Sequence, residues 1–425
     1  MIKRLVIVLL IGSLFSATRI TAQEKENPKR LSNLQQYAWE SDWGDDTWWQ
    51  EHSERVNSLK FEAEGSYDDV ESHYLNSREK SELKKLRNQM IKKHQEVNHQ
   101  WKKRARKIKE KWGTVEKNTA KIFVDYTADN NAFGKINYEK GFLEVGAIAP
   151  ATLINAPFRI ERMLSERLSF LFSTESIPGT PSLKGQVLMP GTGKLVNRTN
   201  LREFSQKVAQ TPKPRNIFLA PDGVRRIRKQ VRVDFLPNHM ETRMKQYVPL
   251  VERAARIYDV ASALILAVIQ TESSFNHRAV SNSGAVGLMQ LVPSTGALEA
   301  SKLVYGEPKM MSHDELYQPH KNIELGTAYL HILLKRYFEE YASDPEKRNF
   351  LAIASYNCGP RRVKQALGSH NNVDGLSAKE LYQLLIKTVP PETRKYLEKV
   401  VERMRQYESN PWTLSPFSRL FACLY

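Results

Sequence analysis

The sequence lacks the residues and patterns that mark several classes of protein. Its 425 residues include two cysteines, Cys358 and Cys423, and neither has the spacing of a metal site. A phosphate-binding loop is excluded, because the run 191–194 (GTGK) has Leu188 where the earlier glycine would stand. Neither a zinc-finger spacing nor an aromatic RNA-binding motif is found. We therefore expect no metal and no cofactor, while a disulfide between the two cysteines stays open.

Acidic residues are also few relative to basic ones. The chain has 47 Asp and Glu against 64 Lys and Arg, so its formal net charge is +17. An excess of this size indicates an anionic partner, which could be nucleic acid, a membrane surface or an acidic polymer. Because charge is all that favours nucleic acid, we expect no nucleic-acid partner, and any contact with a membrane is expected to be peripheral.

Residues 1–22 are predicted to be a secretory signal peptide. Lys3 and Arg4 form its charged end, residues 5–15 its apolar core, and Ile20-Thr21-Ala22 a fair cleavage site. The apolar core is too short for a lasting membrane span, and no cysteine follows it for lipid attachment. We expect an exported, unlipidated, periplasmic protein, and association with the cell wall or the outer membrane stays open.

Residues 23–111 are predicted to be a charged extension that is largely helical or partly disordered. Its acidic first part includes four tryptophans, which either bind sugar or a protein, or pack a short helix: Trp39, Trp43, Trp48 and Trp49. Residues 77–121 are strongly basic and free of proline, with a thin apolar stripe at helical spacing. This pattern predicts a long solvated helix, and contact with an anionic wall or membrane is the second interpretation.

Residues 112–236 are predicted to form a mixed α/β domain with a small antiparallel sheet. Alternating apolar residues indicate strands near 122–126, 136–138, 143–147 and 231–235. Glu139-Lys140-Gly141 is the predicted turn between the second and third strands. Helical spacing predicts helices at 157–172 and 201–210, and 185–196 is predicted to be a loop or hairpin.

The rest of the chain is predicted to be helical. Residues 237–408 form an all-α domain, in which Pro249 and Pro391 begin helices and apolar stripes mark two more at 317–341 and 351–356. Asp259 is expected in a left-handed conformation at the end of a helix. The overall class is therefore α+β, and the tail 409–425 is apolar enough to dock onto the body.

Residues 264–293 combine a buried helix, one acid and a glycine-bounded turn. If residues 261–273 are helical, Ile265, Ile269 and Glu272 lie on one stripe, and the other faces are apolar too. Glu272 would then lie in the last turn, where desolvation and the negative helix end both disfavour ionisation. A carboxyl group that stays protonated near neutral pH is suited to general acid catalysis. A solvated glutamate at a helix end is the alternative.

Residues 272–290 resemble the catalytic signature of the lytic transglycosylases with a goose-lysozyme-like domain. ESSFN begins at Glu272, Ser281 follows, and AVGLMQ ends at Gln290. Further similar segments are NIELGTAYL at 322–330, ASYNCG at 354–359 and ETRKYL at 392–397. In the first domain, KIFVDY and INYEKGFLEV resemble the membrane-bound C type of these enzymes. The resemblance implies a lysozyme-like all-α catalytic domain that acts on peptidoglycan glycan strands.

The resemblance also implies a reaction and its residues. In such enzymes one glutamate protonates the glycosidic oxygen between N-acetylmuramic acid and N-acetylglucosamine. The same residue then takes a proton from the muramyl C6 hydroxyl, so that a 1,6-anhydro ring closes without water. Glu272 matches this glutamate. The residues that match the substrate cleft are Ser281, Gly287, Leu288, Met289, Gln290, Tyr356, Asn357 and Tyr396. Three residues beside them depart from the family pattern: His277, Cys358 and Pro360.

The residues themselves agree with this mechanism on one point. Between residues 273 and 300 the only further acid is the distant Glu299, and a lone acid suits an internal nucleophile better than a two-carboxylate hydrolysis. A goose-type lysozyme, which uses water, and a non-catalytic wall-binding scaffold remain as alternatives. Core packing is the alternative for Tyr356 and Tyr396. Other cell-wall proteins are possible partners.

Overall fold

A computed structural model describes residues 77–173, 183–212, 216–281, 283–368 and 373–409. The predicted signal peptide, the four tryptophans, the apolar tail and Cys423 lie outside these ranges, so the predictions for them stay predictions. Within the described ranges, none of the helices has both the length and the apolar character needed to cross a membrane.

Five antiparallel strands form one sheet in the amino-terminal part, in the order β1-β2-β3-β5-β4. Their bounds are β1 Ile122–Tyr126, β2 Ala132–Asn137, β3 Phe142–Pro150, β4 Asn216–Leu219 and β5 Arg225–Asp234. The predicted antiparallel sheet is therefore confirmed. The edge strand β4 was not predicted, because its side chains are mostly exposed and show no alternation of buried and exposed positions.

Helices cover both faces of this sheet. On one face lie α2 (Ala156–Ser173) and α3 (Leu201–Gln210), whose apolar sides enclose the larger core. On the other face lies α1 (Ser77–Trp112), and Trp101, Ile108 and Trp112 pack it onto the sheet. The Trp112 indole donates a hydrogen bond of 2.8 Å to the backbone oxygen of Asn130. The prediction of a solvated helix was therefore wrong for the end of α1, where three widely spaced apolar residues lie among many lysines and arginines.

The carboxy-terminal part is helical, as predicted, and surrounds one central helix. Its helices are α4 His239–Met244, α5 Val248–Tyr258, α6 Ser262–Ser273, α7 Gly296–Tyr305, α8 His313–Leu316, α9 Pro319–His331, α10 Pro345–Cys358, α11 Pro360–Leu367, α12 Ala378–Thr388 and α13 Pro391–Ser409. A π-helical turn, Ile332–Tyr337, extends α9. α10 begins before the predicted start at 351, because the Asp344 side chain caps it by accepting a hydrogen bond of 2.9 Å from the Glu346 amide.

The central helix α6 is buried on all sides between Ala263 and Ile269, as its sequence predicts. The long helix α13 packs along it. α6 ends at two residues in the left-handed conformation, Ser274 at φ 52° and Phe275 at φ 63°. Asp259 also has the predicted left-handed conformation, at φ 50°. The fold thus places the end of an apolar helix beside a sharp backbone turn.

Candidate functional site

Glu272 lies one residue before the end of α6 and is partly buried. Loss of water on burial raises the pKa of its carboxyl group from 4.5 to about 7. Two groups oppose the rise, the Tyr396 hydroxyl and the positive charge of Lys121, while the negative charge of Glu392 adds to it. A carboxyl group in this state can both give and take a proton near neutral pH.

Tyr396, on α13, faces this carboxyl group. The residue is 7% exposed, and its hydroxyl is buried without a partner in hydrogen-bond geometry among the described residues. Burial, then the charge of Glu272, raises the pKa of Tyr396 well above its ordinary value, so the hydroxyl keeps its proton. It is therefore a protonated donor close to the Glu272 carboxyl group.

Tyr356, on α10, lies on another side of Glu272. Its hydroxyl donates a hydrogen bond of 2.8 Å to the backbone oxygen of Met289, and its ring contacts that of Tyr329. Burial, then the charge of Glu272, raises its pKa well above the ordinary value. The next residue, Asn357, accepts a hydrogen bond of 2.7 Å from the Thr393 hydroxyl and so links α10 to α13. Tyr356 thus joins the predicted cleft turn to the neighbourhood of the acid.

The turn at 287–290 has two residues with a left-handed backbone, Gly287 and Gln290. Gly287 has φ 82°, and a Cβ there would lie 2.2 Å from the side-chain nitrogen of Asn322. Gln290 has φ 48°, and its amide nitrogen donates to the backbone oxygens of Ala279 (3.1 Å) and Gly287 (3.0 Å). The Gln290 side-chain oxygen is buried and has no partner among the described residues. An acceptor is thus left over in this turn.

Leu288 and Met289 contribute backbone carbonyl groups to the site. Both side chains are fully buried in the core. The Leu288 oxygen accepts a hydrogen bond of 2.8 Å from the hydroxyl of Ser273, the neighbour of Glu272, just as the Met289 oxygen accepts one from Tyr356. These carbonyl groups fix the turn against the end of α6.

Ser281 lies in a separate turn and makes its hydrogen bonds there. Its hydroxyl accepts a bond of 3.0 Å from the Ala285 amide and lies 2.9 Å from the Ser283 hydroxyl. His277, a departure from the family pattern, lies with its ring nitrogen 3.2 Å from the Tyr247 hydroxyl. Of the predicted residues, the structure therefore brings Glu272, Met289, Tyr356 and Tyr396 together, while Ser281 contacts its own loop.

Asn322, at the start of α9, belongs to the site although it was not predicted as a site residue. Its oxygen accepts a hydrogen bond of 2.8 Å from the Met289 amide, and its nitrogen donates to the oxygens of Val286 (2.9 Å) and Leu316 (2.8 Å). The residue is fully buried. A polar residue within the apolar pattern of α9 was the signal that could have identified it, because a buried amide needs partners.

Two charged residues near Glu272 come from distant parts of the chain. Lys121 precedes β1 and forms an ion pair of 2.8 Å with Glu139, in the turn before β3. Glu392 lies in the first turn of α13. No local pattern links either residue to Glu272, so only the fold shows that both act on its pKa. Among the described residues, no cluster of His, Cys, Asp or Glu could bind a metal ion.

The matching family model and two similar sequences indicate one class of enzyme. Residues 249–377 match the transglycosylase SLT domain. The chain is 31% identical over 321 residues to the membrane-bound lytic murein transglycosylase C of Serratia proteamaculans, a match that covers 71% of this chain and 87% of that protein. The same identity and coverage hold over 322 residues for the protein of that name from Pectobacterium atrosepticum. Among solved structures, the 70 kDa soluble lytic transglycosylase of Escherichia coli is similar, with 27% identity, 42% of this chain and 27% of that chain covered, and a TM-score of 0.33. This chain thus spans about a quarter of that structure.

Proposed function

This chain belongs to the lytic murein transglycosylases of the membrane-bound C type, and from that premise we propose a single-glutamate mechanism for it. The proposed substrate is the peptidoglycan glycan strand, cut at the β-1,4 bond between N-acetylmuramic acid and N-acetylglucosamine. The proposed product has 1,6-anhydro-N-acetylmuramic acid ends. The observation that supports this proposal most is the partly buried Glu272, whose carboxyl group has a pKa of about 7.

In the first step, protonated Glu272 gives its proton to the glycosidic oxygen as the bond to the muramyl C1 breaks. The leaving sugar departs with a free hydroxyl, and Glu272 becomes a carboxylate. A pKa near the working pH favours this step, because a useful fraction of the molecules then holds the proton. Burial, which disfavours the charged form of Glu272, keeps that fraction high.

In the second step, the Glu272 carboxylate takes the proton of the muramyl C6 hydroxyl, and the C6 oxygen attacks C1. The 1,6-anhydro ring closes, and Glu272 is protonated again for the next cycle. Because the nucleophile belongs to the substrate, proximity replaces an activated water and a second catalytic carboxylate is unnecessary. Lys121 favours the anionic state between the two steps by its charge.

The proposed substrate residues divide by what they contact. The protonated Tyr396 hydroxyl is proposed to donate to the Glu272 carboxylate after the first step. Tyr356 and Asn322 hold the 287–290 turn in shape, and Gln290, whose side-chain oxygen is buried, is proposed to act through the shape of the same turn. The proposed contribution of Gly287, Leu288 and Met289 is the course of their backbone. Asn357 and Ser281 are proposed to line the cleft on either side.

Hydrolysis, as in a goose-type lysozyme, is the second candidate, because one observation favours it. Glu392 supplies a second carboxylate whose charge reaches Glu272, and paired carboxylates can activate water. Glu392 is exposed and lies in the first turn of α13. The scaffold alternative is set aside, because the chain belongs to a family of enzymes.

Two matched variants test the proposal. Glu272→Gln keeps the shape of the side chain but removes the transferable proton, so release of muropeptides from sacculi should fall by about 10²- to 10⁴-fold. Glu392→Gln removes the other carboxylate and should leave the rate near that of the wild type. A Glu272→Gln enzyme with near wild-type activity would contradict the single-glutamate mechanism. Equal loss in both variants would favour the two-carboxylate hydrolase.

Three further statements remain proposals. The first proposal is the pair of domain bounds, 112–236 and 237–408. The packing of α1 onto the sheet indicates that part of 77–111 belongs with the first of these domains. Export by residues 1–22 to the periplasm is the second. The third is that the partner is the cell wall, with no nucleic acid, no cofactor and at most a peripheral membrane contact.

A further inference from the structure

Arg243 joins three separate parts of the molecule. It lies on α4, the first helix of the carboxy-terminal part, and is 3% exposed. Its guanidinium donates to the backbone oxygen of Tyr138 (2.6 Å), to the side-chain oxygen of Gln186 and to the backbone oxygen of Ser274 (3.1 Å). Tyr138 and Gln186 belong to the amino-terminal part, whereas Ser274 follows Glu272 by two residues. One side chain therefore connects the sheet domain to the end of the helix that bears the proposed acid.

The surroundings of Arg243 are built for a charged guanidinium. Burial lowers its pKa only to about 10, so it stays charged at neutral pH, and it lies over the Tyr138 ring at 5.2 Å. The ring nitrogen of His239 lies 3.1 Å away, and the pKa of His239 is lowered to about 4, by burial and then by this charge. A neutral His239 can accept a hydrogen bond from Arg243. No carboxylate pairs with Arg243 in the described part of the chain.

The fit around His239 leaves no space for a larger neighbour. Gly141 lies in the turn before β3 with φ 68°, and a Cβ there would lie 2.4 Å from the His239 ring. The sheet domain therefore approaches α4 closely at this point. Such contact makes the position of one part depend on that of the other.

The backbone turn at Ser274, which accepts a hydrogen bond from Arg243, has an unfavourable conformation that its surroundings must stabilise. Ser274 and the following Phe275 both have a left-handed backbone conformation, which residues other than glycine seldom adopt. The Ser274 hydroxyl is fully buried and has no partner among the described residues, so its carbonyl is the group that anchors the turn. A residue in this conformation persists only where its surroundings fix it. The position of Glu272, two residues earlier, depends on the same turn.

We propose that Arg243 is a positioning residue for the reaction, through which the amino-terminal domain fixes the end of α6 and thereby the carboxyl group of Glu272. It touches neither the substrate nor the reacting atoms. The inference rests on the proposed role of Glu272. It predicts that the amino-terminal domain contributes to turnover as well as to stability.

The test compares Arg243→Met and Arg243→Lys in the full chain. kcat and KM are measured on soluble, uncrosslinked glycan strands, well below the melting temperature of each variant. Because small displacements of a catalytic group can cost about 10²-fold in rate, Arg243→Met should lose about that factor in kcat with little change in KM. Arg243→Lys keeps the charge and part of the donor set, so it should recover part of the lost kcat.

Arg167→Met is the matched control. Arg167 is also buried, but it pairs with Asp125 inside the amino-terminal domain. Its loss should lower the melting temperature and leave kcat unchanged. A purely structural Arg243 would behave in the same way, so a wild-type kcat in Arg243→Met would overturn the inference. If Arg243→Met does not fold, a wild-type kcat in Arg243→Lys would overturn it.

Glu272→Gln, assayed alongside, separates this inference from the proposed function. An inactive Glu272→Gln with a fully active Arg243→Met would overturn the role of Arg243 alone. An active Glu272→Gln would overturn the proposed function and this inference with it. Reduced kcat in both Arg243 variants, with Arg167→Met unaffected, is the result that supports the inference.

Discussion

Replacing Glu272 with glutamine should stabilise the protein in alkaline solution. The carboxyl group has a folded-state pKa of about 7, against 4.5 for the ordinary group. The folded protein therefore holds a proton between these two pH values that the unfolded chain has lost, and stability falls as pH rises through this window. Above pH 7 the whole cost of the buried negative charge is present. Below pH 4.5 both states are protonated and the cost vanishes.

The pKa rise sets the size of the effect. A difference of one pKa unit corresponds to 1.36 kcal/mol, so the rise from 4.5 to about 7 is equivalent to about 3 kcal/mol. Because Glu272 retains some exposure to solvent, which screens its charge, we expect about 2 kcal/mol. Glutamine has nearly the same shape and no charge, so Glu272→Gln should be more stable than the wild type by this amount above pH 7. The two proteins should be alike at low pH.

Unfolding by denaturant at several pH values between 4 and 8 measures this difference. Glu398→Gln is the control, because this exposed carboxyl group on α13 is not among the groups that act on the pKa of Glu272. A stability difference between Glu272→Gln and the wild type that is the same at every pH would contradict this expectation. It would mean that the pKa of Glu272 is not raised in the folded protein.

Three further predictions follow from the contacts around the site. Lys121→Met removes a charge that lowers the pKa of Glu272, so the alkaline limb of the rate profile should move to higher pH; Lys135→Met, whose lysine pairs with a different glutamate, should not move it. Tyr356→Phe leaves the Met289 oxygen without its donor, so stability should fall by about 1–3 kcal/mol and kcat should fall; an unchanged kcat would return this residue to core packing. Because Trp101 and Ile108 anchor α1 to the sheet, the role of α1 in binding is tested by substitution and not by deletion. Replacing the exposed Lys103, Arg106 and Lys107 with glutamine should weaken sacculus binding at low salt and leave the melting temperature unchanged. Equal binding would leave this surface without a role.

Much of the fold could be predicted because its signals are local. The apolar run of α6 and the alternating apolar residues of β1 and β3 are strong, short-range patterns, and the structure confirms a helix and two strands there. The alternation persists in the burial of β1 but not of β3, which is buried on both faces. The family resemblance of residues 272–290 was likewise readable, and the comparisons confirm it. β4 gave no signal, because an exposed edge strand has no buried side to mark. The buried end of α1 was missed, because its lysines and arginines outnumber the apolar residues that anchor it.

The rest of the site depends on contacts between distant residues. The charges of Lys121 and Glu392 act on the pKa of Glu272, although one residue lies well before it in the chain and the other well after it. No sequence pattern indicated either residue as part of the site. Glu392 was not predicted as a neighbour of Glu272, because it lies far along the chain from the segment 273–300 that follows this glutamate. Arg243 looks like one more basic residue in a chain of net charge +17, and only its burial distinguishes it. The raised pKa of Glu272 was the one electrostatic feature that helix position and apolar composition could predict.

The central claim is that the nucleophile is the substrate's own C6 hydroxyl and not water. Digestion of purified sacculi in water enriched in oxygen-18, followed by mass spectrometry of the released muropeptides, tests this claim directly. We expect muropeptides that end in 1,6-anhydro-N-acetylmuramic acid, one water lighter than reducing ends and free of the heavy isotope. Reducing ends that contain oxygen-18 from the first turnovers would contradict it and show a hydrolase.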